Sequence, residues 1–142
     1  VSVADWSDIW LNEGFATYAE TLWIEYRDGR EAADAYTADL YRYYASSNFS
    51  DLLPGAPPAN DLFNIAVYVR GGLLLTALRA QVGDDVFFNL LTEWHRRYQD
   101  SAATTADFIA LAESLSGADL AAFFEAWLFA PEIPPIPELG LG

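Results

Sequence analysis

Ile65 to Val82 is apolar nearly all the way round a helical wheel. A helix with no polar face has to be wrapped by other elements, so this stretch is expected to be the central, buried helix. Everything else in the chain must supply its wrapping. Two glycines, Gly71 and Gly72, interrupt it, each at a cost of about 1 kcal/mol relative to alanine. Their presence points to close approach of another backbone at that level.

Five further helical stripes are available to do the wrapping. The first follows a short lead-in, with Ser7 or Asp8 as its expected cap, and runs to about Arg27, where Asp28-Gly29 carries turn chemistry. On it Leu11, Phe15, Tyr18, Ala19, Leu22 and Tyr26 share one side, expected to be the inner one. Glu13, Thr17, Glu20 and Arg27 fall opposite. The second, Arg30 to Ala45, offers Tyr36, Leu40, Tyr43 and Tyr44. A proline-rich loop, Ser46 to Asn60, leads through Asp61 to Asn64 into the central helix, and it is long enough to be functional. Gly83-Asp84-Asp85 opens the fourth helix, whose Phe87, Leu90, Leu91, Trp94 and Tyr98 form a clean helical stripe. Thr104 and Asp107 have the spacing of a capping box at the start of the fifth. It buries Phe108, Leu111, Ala112 and Leu115, and Ser116-Gly117 stops it. The sixth, about Asp119 to Phe129, buries Leu120, Phe123, Phe124 and Trp127. No strand-like alternation of any length occurs. The expectation is an all-α domain of about six helices over residues 1–130, followed by an extended proline-rich tail over 131–142.

The chain of 142 residues is long enough to bury a real core, and 53% of it is apolar. Its net charge of −14 excludes nucleic acid and anionic membrane surfaces as expected partners. It suits cationic ligands such as a peptide amino terminus, although it also serves simply to keep a domain soluble. No apolar run reaches membrane-spanning length. Cysteine is absent, so any metal must be held by His, Asp or Glu. The sole histidine, His95, lies off the stripe of its helix beside Arg96 and Arg97 and reads as a solvated surface residue. Taken alone, Glu13 and Glu20 read as the polar face of an amphipathic helix, and Tyr68 as a core tyrosine with a satisfied hydroxyl.

Three stretches change that reading. Asp5 to Glu20 is DWSDIWLNEGFATYAE, Val67 to Leu78 is VYVRGGLLLTAL, and Thr104 to Leu128 is TTADFIALAESLSGADLAAFFEAWL. Together they resemble the zinc aminopeptidases of the aminopeptidase N type, the gluzincins that also include leukotriene A4 hydrolase. The resemblance implies the α-helical lobe of a thermolysin-like catalytic domain. It implies that Glu13 is the carboxylate ligand of a catalytic zinc. It also implies that Tyr68 is the tyrosine that stabilises the oxyanion. Glu20 then becomes a candidate neighbour of the metal site, and Asn12 a candidate cap or orienter of the metal-bearing helix. Arg70 stands where the family usually has lysine, and no catalytic role is assigned to it.

In that family both zinc histidines and the general-base glutamate lie further upstream of the ligand glutamate than the twelve residues that precede Glu13. The expectation is therefore a segment of a longer zinc aminopeptidase that removes amino-terminal residues from peptides by metal-activated water. The segment alone is expected to be inactive and to bind zinc weakly or not at all, since the other ligands come from the N-terminal remainder of the same protein. Expected partners are a peptide substrate, that remainder and, for the isolated segment, a second copy meeting it through the cut face that carries Glu13 and Tyr68. The rival reading is a non-catalytic helical module that binds peptides in an acidic groove.

Overall fold

The computed structural model describes residues 1–142. Ser2–Val3 (β1) leads through a 3-10 turn, Trp6–Asp8, into α1 (Trp10–Asp28), followed by α2 (Arg30–Ala45). A π-helical turn, Ala66–Arg70, then runs directly into α3 (Gly71–Val82). After it come α4 (Asp84–Tyr98), β2 (Ala102–Ala103), α5 (Thr105–Ser116) and α6 (Ala121–Phe129). The only sheet is a parallel pair in which Ser2 faces Ala102 and Val3 faces Ala103. The molecule is the six-helix, all-α unit expected from the apolar stripes.

The central position of α3 follows from its composition. Leu73, Leu74, Leu75 and Leu78 are all buried, and α1, α2, α4 and α6 pack around them. Gly29 and Gly83 adopt φ of 93° and 85°, which L side chains rarely take. Each lets two long helices follow one another with a single linking residue, so α1–α2 and α3–α4 are tight helical pairs. Phe108 of α5 joins the other helices. It meets the rings of Trp10, Phe15, Trp94 and Phe124 edge to face at centroid distances of 5.9, 5.5, 5.1 and 6.1 Å.

Helix ends are fixed largely as their residues suggest. The Asp107 N–H donates to Thr104 Oγ1 at 3.1 Å, and the Thr104 N–H donates to Asp107 Oδ2 at 2.9 Å, closing the capping box. Glu113 reaches forward to accept the Leu120 N–H at 2.9 Å, and Asp119 accepts the Ala121 N–H at 3.0 Å, so α6 starts two residues later than its sequence suggests. The expected cap of α1 is not made. Asp5 caps the 3-10 turn by accepting from the Ser7 N–H, while the buried Asp8 turns away to α5.

Two inner faces differ from the wheel reading. On α1 the buried residues are Trp10, Leu11, Gly14, Tyr18 and Thr21, whereas Ala19 is exposed and Tyr26 is 84% exposed. On α2 they are Ala33, Thr37, Tyr41 and Tyr44, and Tyr43 faces outward. The cause is close packing. Where two helices approach nearly backbone to backbone, small residues fill the contact, and a hydrophobicity scale does not mark Gly or Thr as interior.

The segments outside the helices are packed onto them. In the 46–64 loop Pro54 is buried, the Gly55 N–H donates to the Leu128 carbonyl at 3.0 Å, and the Tyr44 hydroxyl donates to the Leu52 carbonyl at 3.3 Å. Beyond α6 the chain buries Ile136 and Leu141, which pair across a 3-10 turn at Pro137–Leu139, and the Tyr41 hydroxyl donates to the Pro134 carbonyl at 3.1 Å.

Candidate active site

Glu13 lies in the first turn of α1, and the residue after it, Gly14, is where α1 crosses α3. The contact is so close that a β-carbon on Gly71 would stand 3.0 Å from the Gly14 Cα. The neighbouring Gly72 is equally confined, with Thr17 Cγ2 only 2.9 Å from where its β-carbon would be. The two glycines in the central helix are thus explained by approach of α1, as their cost in a helix suggested. Immediately before Gly71 the chain makes its π turn, and Tyr68 is the middle residue of that turn.

The π turn is set by contacts on both sides. The Gly71 N–H donates to the carbonyl of Ala66, five residues back. At the entrance, the Ala66 N–H donates to Oδ1 of buried Asn64, whose own side-chain amide donates to the Asp61 carbonyl at 2.8 Å. Such turns are rare and occur often at functional sites. Here the turn carries the half-buried Tyr68 toward Glu13. Partial burial and, behind it, the nearby Glu13 carboxylate push the Tyr68 phenol above its ordinary value.

Glu13 is half-buried and takes part in no ion pair, which leaves its oxygens available. A carboxylate of this kind fits one ligand position of a zinc ion. No group of three or more His, Asp or Glu side chains converges in the chain. Glu20 accepts a hydrogen bond from the Tyr36 hydroxyl at 2.9 Å and so ties α1 to α2. His95 is exposed and lines a cavity of about 360 Å3 with Leu11, Asn12, Phe15, Leu91 and Trp94. Asn12 also borders a second cavity, of about 450 Å3, formed by the lead-in around Ser2, Asp5, Trp6 and Ile9. Neither cavity includes Glu13 or Tyr68. Trp6 and Phe63 meet edge to face at 6.1 Å while remaining 59% and 53% exposed.

Arg70 is buried completely. Its Nη2 donates to the carbonyls of Ala126, Ala130 and Glu132 at 2.8, 2.7 and 3.0 Å, and its Nη1 donates to that of Pro131 at 3.3 Å. Burial pushes its pKa down from the ordinary arginine value. Neither this anchorage nor the π turn was visible in the spacing of the residues.

Beside the crossing of the central helix at paired glycines, Glu13 is near enough to Tyr68 for its charge to act on the phenol. The chain is a member of peptidase family M1, whose Peptidase family M1 domain matches residues 1–127. It is 30% identical over 138 residues to aminopeptidase N of Streptomyces lividans, a match that spans 90% of this chain and 16% of that protein. Against human aminopeptidase N the identity is 32% over 98 residues, spanning 61% of this chain and 10% of the relative. Among solved structures it superimposes on an M1 zinc metallopeptidase from Deinococcus radiodurans with a TM-score of 0.83 at 32% identity. That match covers 95% of this chain and 30% of the other. A variant of an M1 zinc metallopeptidase from Deinococcus radiodurans bound to a Tyr-Ser-Ala substrate gives a TM-score of 0.81 at 34% identity, over 96% and 31% of the two chains. The chain therefore spans less than a third of the length of each of these relatives.

Proposed function

We propose that the protein to which this lobe belongs is a zinc aminopeptidase that hydrolyses amino-terminal residues from peptides. The observation that carries the reading is membership of family M1 over residues 1–127, supported by the nearness of Glu13 to Tyr68 beside the Gly14–Gly71 crossing. Glu13 supplies one carboxylate ligand to the metal. When bound, zinc acidifies a water molecule and polarises the scissile carbonyl. The Tyr68 phenol donates a hydrogen bond to the oxygen that gains negative charge as the carbonyl is attacked. The remaining ligands and the general base come from the N-terminal remainder of the protein, so the lobe alone neither holds zinc nor turns over substrate. Isolated, it self-associates through the face bearing these residues; exposed aromatic surface such as the Trp6–Phe63 pair favours association in general, and a net charge of −14 opposes it. A monomer in sedimentation at high micromolar concentration and moderate salt rejects the self-association.

The test is Tyr68→Phe in the full-length protein. Loss of one such donor lowers turnover by about 10²–10³. Near-normal turnover in the variant rejects the assigned role, and absence of any turnover in the parent favours the peptide-binding module instead.

A further inference from the structure

A π turn in a helix is held in place by its surroundings, because ordinary helical hydrogen bonding competes with it at every residue. Three supports are visible around Ala66–Arg70. Asn64 takes the first N–H, Gly71 is pressed onto Gly14, and Arg70 closes the turn with a guanidinium sunk beneath α6. The third support is the unusual one. A fully buried cation ordinarily needs a carboxylate, yet no carboxylate pairs with Arg70. Four carbonyls replace it, and they belong to the last turn of α6 and the chain just beyond. Two of them, those of Ala126 and the capping residue Ala130, are at the C-terminal end of α6, where unpaired oxygens concentrate negative charge.

We propose that Arg70 is a positioning residue for Tyr68: by bolting the end of the π turn to carbonyls at the C-terminal end of α6 and in the chain just beyond, it sets where the Tyr68 hydroxyl stands relative to Glu13. Tyr68 lies two residues before the bolt and two after the first residue of the turn, so it has no independent way to choose its direction. Relaxation of 66–70 to a regular helix would rotate Tyr68 relative to the Gly14–Gly71 contact, which itself cannot slide. The segment 130–132, more than sixty residues away along the chain, thereby becomes part of what fixes the phenol. The geometry needs a planar group with several donors, because the four carbonyls are spread over 126–132; a lysine ammonium covers three at most.

This inference rests on the reading that Tyr68 donates to the reacting oxygen, and its test separates the two. In the full-length protein, kcat and KM for an aminoacyl anilide are measured for Arg70→Lys and Arg70→Met, each alone and combined with Tyr68→Phe. Misplacing a reacting group lowers turnover by roughly 10- to 100-fold. That loss is expected in kcat for Arg70→Met with KM held within about twofold, and a smaller loss for Arg70→Lys. In the Tyr68→Phe background neither change should move kcat further by more than about twofold, because the group they position is gone. Equal losses in both backgrounds, or an unchanged kcat with Tyr68 in place, overturn the proposal. Should Arg70→Met fail to fold, the Arg70→Lys pair decides by the same comparison, since it keeps the charge and three donors. If Tyr68→Phe alone keeps full turnover, the reading of Tyr68 falls and takes the positioning role with it. If Tyr68→Phe is impaired and Arg70 is neutral, only the positioning role falls.

Discussion

Gly14 and Gly71 meet through their backbones alone: a β-carbon on Gly14 would lie 2.8 Å from the Gly71 carbonyl carbon, inside any real contact distance. This crossing brings Glu13, one residue before Gly14, near Tyr68, three residues before Gly71. The relation between the carboxylate and the phenol is therefore inherited from helix packing.

The crossing makes a stability and activity prediction. Gly14→Ala cannot be accommodated by rotating a side chain, because its β-carbon faces backbone atoms. The helices must part, at a cost of about 1–3 kcal/mol for overpacking. Urea unfolding of the isolated lobe should show a lower midpoint with an unchanged slope. The same variant in the full-length protein should lose turnover as well. An unchanged midpoint would mean that α1 and α3 are not in contact at this level.

Asp8 supports a second prediction. Its Oδ1 accepts both the Thr105 N–H at 3.0 Å and the Thr105 hydroxyl at 2.7 Å, and that hydroxyl accepts the Trp10 indole N–H at 2.9 Å. The start of α1 is thus tied to the start of α5, 97 positions on. Asp8→Ala leaves an N–H at the start of α5 without its partner and should cost about 1–2 kcal/mol. Thr105→Val breaks the same chain of bonds, so the double variant should be less destabilised than the sum of the two singles. Strict additivity in denaturation measurements would show that the two residues act separately.

The Arg79 cluster gives a pH dependence. Buried Arg79 donates to Glu25 at 2.6 and 3.0 Å and to Asp84 at 2.8 and 2.9 Å, joining α1, α3 and α4. Hydrogen bonding to this guanidinium holds both carboxyls below their ordinary values of 4.5 and 3.8. Their folded-state pKa values are the lower ones, so the unfolded chain binds protons first as the solution is acidified. The stabilisation is complete above about pH 5 and is lost as pH falls below 4.5 and through the folded values. Arg79→Met should be less stable than the parent at pH 7, by about 1–2 kcal/mol because the carboxylates left behind are partly exposed and solvated. That difference should shrink steadily between pH 5 and pH 3. A difference that stays constant across this range would assign the effect to packing rather than charge.

Much of this architecture is legible in the residues because local pattern carries it. The all-apolar central helix, the Phe87–Trp94 stripe and the Thr104–Asp107 capping box each rest on neighbours a few positions apart. So does the inference that Gly71 meets another backbone; Gly72 is confined instead by the Thr17 side chain. On α1, Leu11, Phe15, Tyr18 and Leu22 face the core as the stripe indicates, whereas Gly14 and Thr17, which build the contact with α3, and the buried Thr21 carry no hydropathy signal. Asp8 was given the right kind of job at the wrong helix, since its partner Thr105 is distant in sequence. The π turn and the Arg70 anchorage depend wholly on tertiary contacts from Asn64, Gly14 and α6. Glu13 and Tyr68 stood out only through the resemblance; a single carboxylate and a single tyrosine, 55 positions apart, form no pattern by themselves.

The final prediction concerns the metal. Glu13 offers one carboxylate, and His95 lines a cavity that Glu13 does not. A lone carboxylate is a weak zinc site, since affinity rises steeply with imidazole ligands and with the number of donors held in place. Calorimetry on the isolated lobe at neutral pH should therefore show no stoichiometric zinc binding in the micromolar range. The full-length protein should retain close to one zinc per chain through dialysis, and Glu13→Ala should release most of it, because removing one of three ligands opens the site. Glu13→Ala should leave the unfolding midpoint of the isolated lobe nearly unchanged, as Glu13 makes no ion pair there. Metal analysis of the full-length variant separates the outcomes. Full zinc occupancy in Glu13→Ala would remove Glu13 from the ligand set. Micromolar binding by the isolated lobe that disappears in Glu13→Ala would mean that two copies bring their carboxylates together around one ion.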